Sequence, residues 1–182
     1  MVIIIEGLDR TGKTTLANKL SERFNIPIYK KDREEFGNSL EEDELINLGD
    51  SLATVKLFNS ELFKGRHVIL DRFHWSEYVF NIVDRGGFLN DRYLDEVCYE
   101  MDKNASNYII IHMHPTNLLR CVRNDEYGRD INTFAEYYKF FCEAQNHSES
   151  LHRDIKVYNS CYSGIDTTCD MIGDLIKMEE KV

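Results

Sequence analysis

The sequence predicts an α/β fold in which helices cover both faces of a parallel, five-stranded sheet. Three observations predict it. Apolar runs alternate with helical patterns along the chain, the order that builds parallel strands between helical layers. The first run, Val2-Ile3-Ile4-Ile5-Glu6, is apolar almost throughout rather than alternating, as a strand buried on both faces requires. Only two prolines, Pro27 and Pro115, interrupt the 182 residues, and both fall between elements.

The elements follow in order. Residues 13–24 carry Leu16, Leu20 and Phe24 on one helical face, and residues 26–29 form a short second strand. Residues 30–43, highly charged around Gly37, read as an exposed loop. From about 44 to 64, Leu45, Leu48, Leu52, Val55, Phe58 and Leu62 recur at helical spacing, and Gly65 is placed to end that helix. The acids Glu41 to Glu44 suit a solvated helix start. His67-Val68-Ile69-Leu70 is a third strand, followed by helices at 75–82 and about 90–102. Tyr108-Ile109-Ile110-Ile111-His112-Met113 is a fourth, closed by Pro115. Helices flank a polar loop at 124–130, and a strand at 155–158 and a helix from about 168 to 180 complete the chain. With no repeat, low-complexity stretch or linker, residues 1–182 are expected to form one domain.

Composition narrows the function. Apolar residues make up 42% and aromatics 12%, which excludes disorder. A net charge of −10 argues against general binding to nucleic-acid backbone, though a few cations can still converge on one small anion. No apolar run reaches the roughly 18 residues of a membrane span. The N-terminus lacks the basic stretch of a signal peptide. Five cysteines without a CxxC pair disfavour zinc or a disulfide framework. A cytoplasmic protein is expected.

Two segments carry chemistry. Gly7-Leu8-Asp9-Arg10-Thr11-Gly12-Lys13-Thr14 fits G-x-x-x-x-G-K-[ST] between a buried strand and an amphipathic helix. Its glycines allow backbone amides to face a phosphate at a helix N-terminus. Lys13 then reaches the β- and γ-phosphates, and the Thr14 hydroxyl ligates Mg²⁺. Val68-Ile69-Leu70-Asp71-Arg72 ends an apolar strand on an acid, which in a P-loop NTPase holds Mg²⁺ directly or through water. The predicted architecture is therefore a three-layer α/β/α P-loop NTPase.

The stretch from Ile5 through Gly7-Leu8-Asp9-Arg10-Thr11-Gly12-Lys13-Thr14 to Thr15 closely resembles the P-loop of thymidylate kinases. Asp71-Arg72-Phe73-His74-Trp75-Ser76-Glu77-Tyr78-Val79-Phe80-Asn81 resembles that family's D-R-[YFH]-x-x-S-x-x-A-Y-Q segment. His114-Pro115, Arg120, Arg123, Arg129-Asp130 and the aromatic helix from Phe134 look like its helical lid, over about 120–131. The resemblance implies ATP and Mg²⁺ as cofactors and small-molecule nucleotides as partners, with a homodimer left open. It places Asp9 near the acceptor's sugar and phosphate, Arg10 on the transferring phosphoryl group, Asp71 at the metal and Arg72 on the acceptor's phosphate. Ser76, Phe80 and Asn81 would line the acceptor pocket, the Phe80 ring crowding a sugar 2′-hydroxyl. Arg120, Arg123 and Arg129 would close over the ATP phosphates, Gly128 serving as a hinge.

The chain also departs from the family pattern. Where the family has R-E-P-G-G, Tyr29-Lys30-Lys31-Asp32-Arg33-Glu34-Glu35-Phe36 stands here. The family's F-x-x-x-R aligns with Phe58 and Leu62, which puts Phe58 in the acceptor pocket and removes the base-reading arginine. Asn81 replaces the family's glutamine. The expected activity is phosphoryl transfer from ATP to a deoxynucleoside monophosphate, dTMP or a related, even modified, pyrimidine. The alternatives are a deoxynucleoside kinase, a kinase acting on a nucleotide within DNA, and a non-enzymatic P-loop switch. A nucleoside kinase needs a carboxylate base near the end of the second strand, and the mixed charges there leave that choice open. Tyr137, Tyr138, Phe140 and Phe141 read as a helix packing on the core, and Trp75 as core or pocket wall. His74 is the one histidine in a plausible site.

Overall fold

The computed structural model describes residues 1–30, 40–85, 91–122, 128–151 and 155–179. Lys31, Asp32, Arg33, Glu34 and Arg123 lie outside them. Five parallel strands form the sheet: β1 (Val2–Gly7), β2 (Ile28–Tyr29), β3 (Val68–Asp71), β4 (Tyr108–His114) and β5 (Lys156–Cys161). Their order is β2-β3-β1-β4-β5, so the chain builds one side of β1 and then crosses to the other. In such sheets ligands bind beyond the carboxyl ends of the strands where that order reverses.

The helices are α1 (Lys13–Phe24), α2 (Leu40–Phe58), α3 (His74–Arg85), α4 (Asp91–Asp102), α5 (Leu118–Val122), α6 (Ile131–Leu151) and α7 (Ile165–Glu179). The two-residue period of β1 divides them between two layers. Ile3 and Ile5 pack with Ile69, Ile109 and Ile111 against Leu16 and Leu20 of α1 and Ile172 and Ile176 of α7. Val2 and Ile4 pack with Leu70 and Ile110 against Val55 of α2, Val79 of α3, Val97 of α4 and Phe141 of α6. Each such aliphatic side chain contributes roughly 1.5–3 kcal/mol by leaving water, which is why β1 can be apolar on both faces. Among the described residues no helix is long and apolar enough to cross a membrane.

Some boundaries differ from the expectation. The second helix begins at Leu40, inside the expected loop, and ends at Phe58 rather than near residue 64. It stops where Asn59 turns to the neighbouring elements, donating to the Glu100 carbonyl at 2.8 Å and accepting from the Tyr108 hydroxyl at 2.8 Å. Residues Glu61–Phe63 form a separate 3₁₀ turn, and it is this turn that Gly65, at φ +72°, follows. β5 runs on to Cys161, and α7 begins at Ile165, three residues earlier than expected.

Candidate active site

The loop between β1 and α1 is shaped by backbone that glycine tolerates. Gly7 has φ +130° and Gly12 φ +99°, and a Cβ on Gly7 would stand 2.4 Å from the Met113 carbonyl oxygen of β4. Gly12 starts α1 without a side-chain cap, so the first-turn amides remain for a phosphate. Leu8 is buried beneath the loop, and the Thr11 hydroxyl ties the loop to itself by donating to the Leu8 carbonyl at 2.9 Å.

Lys13 is buried, and its ammonium donates to the same Leu8 carbonyl. Burial, with Arg72 as a cationic neighbour, pulls its pKa down to about 7. A phosphate beside it favours the charged form, so binding draws in a proton wherever the free lysine is neutral. At pH 8, above the nucleotide phosphate's own titration near 6, ADP binding without added metal is expected to take up about 0.9 proton per site. The uptake should shrink to about 0.1 at pH 6, apart from protons that the phosphate itself releases there. Calorimetry in buffers of different ionisation enthalpy measures it, and zero uptake at pH 8 would refute the titration.

Asp71 ends β3 beside the loop. The Thr14 hydroxyl donates to Asp71 Oδ2 at 3.0 Å, and the Lys30 ammonium, just beyond β2, lies 3.4 Å from the same oxygen. The next residue, Arg72, has φ +79°, a left-handed conformation rare outside glycine that turns its side chain back over the loop. Its guanidinium donates to Asp9 Oδ1, approaches Ser76 Oγ at 3.4 Å and stacks 4.8 Å from the Phe80 ring centroid. Arg129 donates to the other Asp9 oxygen at 3.0 Å and to the Tyr137 hydroxyl at 3.3 Å. Burial alone would raise the Asp9 pKa, but Arg72, Lys13 and Arg129 together hold it below the ordinary carboxylate value.

These groups bound a cleft of about 610 Å³ lined by Asp9, Arg10, Lys13, Thr14, Lys30 and Arg72, with Thr15 and Tyr162 at its edge. A smaller hollow of about 190 Å³ adjoins it, walled by Arg10, Thr11, Pro115, Asn117, Arg120 and Tyr162. The Tyr162 ring stands between the two, so close that a Cβ on Gly12 would meet it at 2.8 Å.

Most of the residues singled out in the sequence thus converge. Gly7 to Thr15, Asp71, Arg72, Ser76 and Phe80 form a continuous set, and Asn81 is buried one residue further along α3. Arg120 lines the smaller hollow, whereas Arg129 sits on Asp9 against the Phe134 and Tyr137 rings. Phe58 does not join them. It packs on Phe63, with ring centroids 4.7 Å apart, at the end of α2, where Tyr108 at the start of β4 reaches Val55 and Asn59. That is the amino-terminal edge of the sheet, opposite the phosphate loop. Leu62 follows in the 3₁₀ turn, 76% exposed at that same end, so the arginine absent from its position says nothing about base recognition.

Other contributors went unnoticed in the sequence. Glu6 is fully buried at the end of β1, where its Oε1 accepts the Phe73, Trp75 and Ser76 amides at 2.9, 3.0 and 3.4 Å. Its Oε2 accepts the Ser76 hydroxyl. Burial raises its pKa even against these donors. Glu6 thereby fixes the start of α3 and the angle at which Arg72 leaves β3. The available signal was an acid closing an otherwise apolar buried run. Tyr137 does pack on the core, against Phe80 at 5.3 Å, but its hydroxyl also donates to Asp84 and holds Arg129. His74 is wholly buried between the Phe73 and Trp75 rings.

Strand order, with the phosphate loop leaving the central strand and the Asp-Arg pair leaving its neighbour, makes this a thymidylate kinase-like P-loop kinase fold. Similar solved structures include thymidylate kinase from Candida albicans, with TM-score 0.63 and 18% identity over 98% of this chain and 92% of that one. Deoxyadenosine kinase from M. mycoides, solved with the products dCMP and dCDP, has TM-score 0.61 and 17% identity over 98% of this chain and 100% of its own. The chain belongs to the family of the SPbeta prophage-derived protein YorR of Bacillus subtilis (strain 168), to which it is 32% identical over 145 residues, 76% of this chain and 79% of YorR. The crystal structure of YorR with phosphorylated GDP has TM-score 0.69 and 22% identity over 100% of this chain and 99% of that one. No protein-family model matches the chain.

Proposed function

We propose that the chain transfers the γ-phosphoryl group of ATP to a nucleoside monophosphate, releasing a nucleoside diphosphate. One observation carries this reading: among the described residues, the two carboxylates that line the phosphate end of the cleft are already engaged by donors and cations. Asp9 is held by Arg72 and Arg129, and Asp71 by Thr14 and Lys30. A nucleoside acceptor must give up a hydroxyl proton to a free base. Lys30, the described residue at the end of β2, is a cation set on Asp71, and Asp32 and Glu34 beyond it lie outside the described residues. A monophosphate is anionic already and needs the clamp that Arg72 and Lys30 supply. YorR bound to phosphorylated GDP, and the deoxyadenosine kinase bound to dCMP and dCDP, support a nucleotide site in this fold.

The residues divide the work by position. Lys13 and the α1 amides take the donor's phosphates, Arg10 the group in transfer and Arg72 the acceptor's phosphate. Arg120 and the Tyr162 ring flank the smaller hollow, which suits the donor's base. Thr14 and Asp71 present hard oxygen donors close together, a set that fits Mg²⁺ shared with phosphate oxygens. Held by these two residues, Mg²⁺ would supply neutralisation of charge on the transferring group. Phe80, beneath Arg72, favours deoxyribose by crowding a 2′-hydroxyl. The resemblance of residues 71–81 to thymidylate kinases supports a deoxynucleoside monophosphate, the class to which dTMP belongs, as acceptor.

An ADP-release assay across deoxynucleosides, their monophosphates, the ribo forms and single-stranded oligonucleotides tests the reading. Turnover of nucleosides alone would make this a deoxynucleoside kinase, and no ATP consumption with any acceptor would leave a switch. Within the assay, Arg72→Ala should raise the acceptor KM by roughly 10–100-fold and the ATP KM much less, as loss of a charge-assisted clamp does. Asp71→Asn should instead raise the Mg²⁺ requirement. An Arg72→Ala effect confined to ATP would overturn the placement of the acceptor.

A further inference from the structure

We propose that Glu77 reads the acceptor's base and selects bases that carry an exocyclic amino group, guanine above all, over thymine and uracil. The inference rests on the monophosphate reading above. Glu77 lies in the first turn of α3, directly after Ser76 and three residues before Phe80, the two α3 side chains that Arg72 touches. At 100° per residue it shares a helix face with Phe80, Asn81 and Asp84. That face runs on from Ser76 and Phe80, which touch Arg72, so an acceptor whose phosphate Arg72 clamps would lay its sugar and base along it. Asp84, at the far end of the face, is bound by the Tyr137 hydroxyl. Glu77 is half-buried, and its carboxylate makes no hydrogen bond or ion pair with another described residue. Tyr93 of α4, joined to Ser51 at 2.9 Å, lies within reach of its charge, and burial together with Glu77 holds the Tyr93 hydroxyl protonated.

A carboxylate only accepts hydrogen bonds. Guanine offers N1–H and N2–H side by side, matching both carboxylate oxygens, while cytosine and adenine each offer one amino group. Thymine and uracil present a single N3–H between two carbonyl oxygens, and those oxygens repel a carboxylate. The base preference suggested by the resemblance is therefore reversed by one side chain. Facing one N–H flanked by two carbonyls, the half-buried carboxylate can be satisfied at one oxygen only, and polar sites discriminate most strongly where a group is left unpaired.

The test compares wild type with Glu77→Gln on dGMP, dCMP, dAMP, dTMP and dUMP, reading kcat/KM by ADP release and Kd by calorimetry. Wild type should favour dGMP over dTMP by at least about tenfold in both readouts. Glu77→Gln, whose amide can donate as well as accept, should narrow that ratio at least about tenfold while leaving the ATP KM unchanged. Glu77→Ala, which removes the acceptor without adding a donor, should lose dGMP without gaining dTMP. A wild type that prefers dTMP or dUMP overturns the proposal, and so does a ratio that Glu77→Gln leaves alone. Those results would leave the monophosphate kinase standing. If none of the five monophosphates binds or turns over, the kinase reading falls and takes this assignment with it.

Discussion

Lys13→Ala is expected to keep the fold and lose the chemistry, with kcat falling by roughly 10³-fold or more. Phosphoryl transfer depends on positioned charge rather than covalent help, and Lys13 is the cation buried deepest in the cleft. Burial pulls its pKa down to about 7, so keeping this ammonium charged works against the fold, and alanine removes that cost. The melting temperature should therefore stay level or rise slightly. A variant that melts as wild type does and still turns over at near the wild-type rate would sink the P-loop assignment.

Glu6→Ala should have the opposite signature, a large loss of stability. Three amides and one hydroxyl at the start of α3 lose their common acceptor inside the protein. Breaking a buried charged network of this kind costs about 3–5 kcal/mol. Glu6→Gln keeps an acceptor for the amides and fits the neutral form that burial favours, so its loss should stay near 1–2 kcal/mol. Urea unfolding of the two variants separates these values. An alanine variant within about 1 kcal/mol of wild type would show that water replaces the carboxylate and that α3 does not depend on it.

The contrast between Lys13 and Glu6 marks what was legible in the sequence. The phosphate loop, Asp71 and the inner strands were readable because doubly buried parallel strands are continuous apolar runs and the loop needs fixed residue types at fixed spacing. Glu6 was harder to read, since its partners are amides some 70 positions away that no side-chain pattern announces. β5 was read short because it is half-exposed, and Asn159 and Ser160 hide its last residues. Phe58 was misplaced for a different reason. Periodicity tells which face of a helix a residue takes but not which end of the sheet it reaches. A helix between two parallel strands runs back against them, so its last turn arrives at the edge where the next strand begins. Phe58, ten residues before β3, could not have faced the phosphate loop.

The contact between Gly7 and the Met113 carbonyl bears on how quickly and how tightly nucleotides are held. With 2.4 Å between that oxygen and any Cβ, the loop's first residue lies flush against the neighbouring strand, part of the sheet rather than a flap above it. The loss of chain freedom that a cradle of inward-facing amides entails is then incurred at folding, not at each encounter with a nucleotide. Association needs no loop closure around the phosphates, so the arrival rate should follow charge steering and fall with added salt. Differences in residence time between nucleotides arise elsewhere, at the base and at the arginines that reach in from outside the sheet.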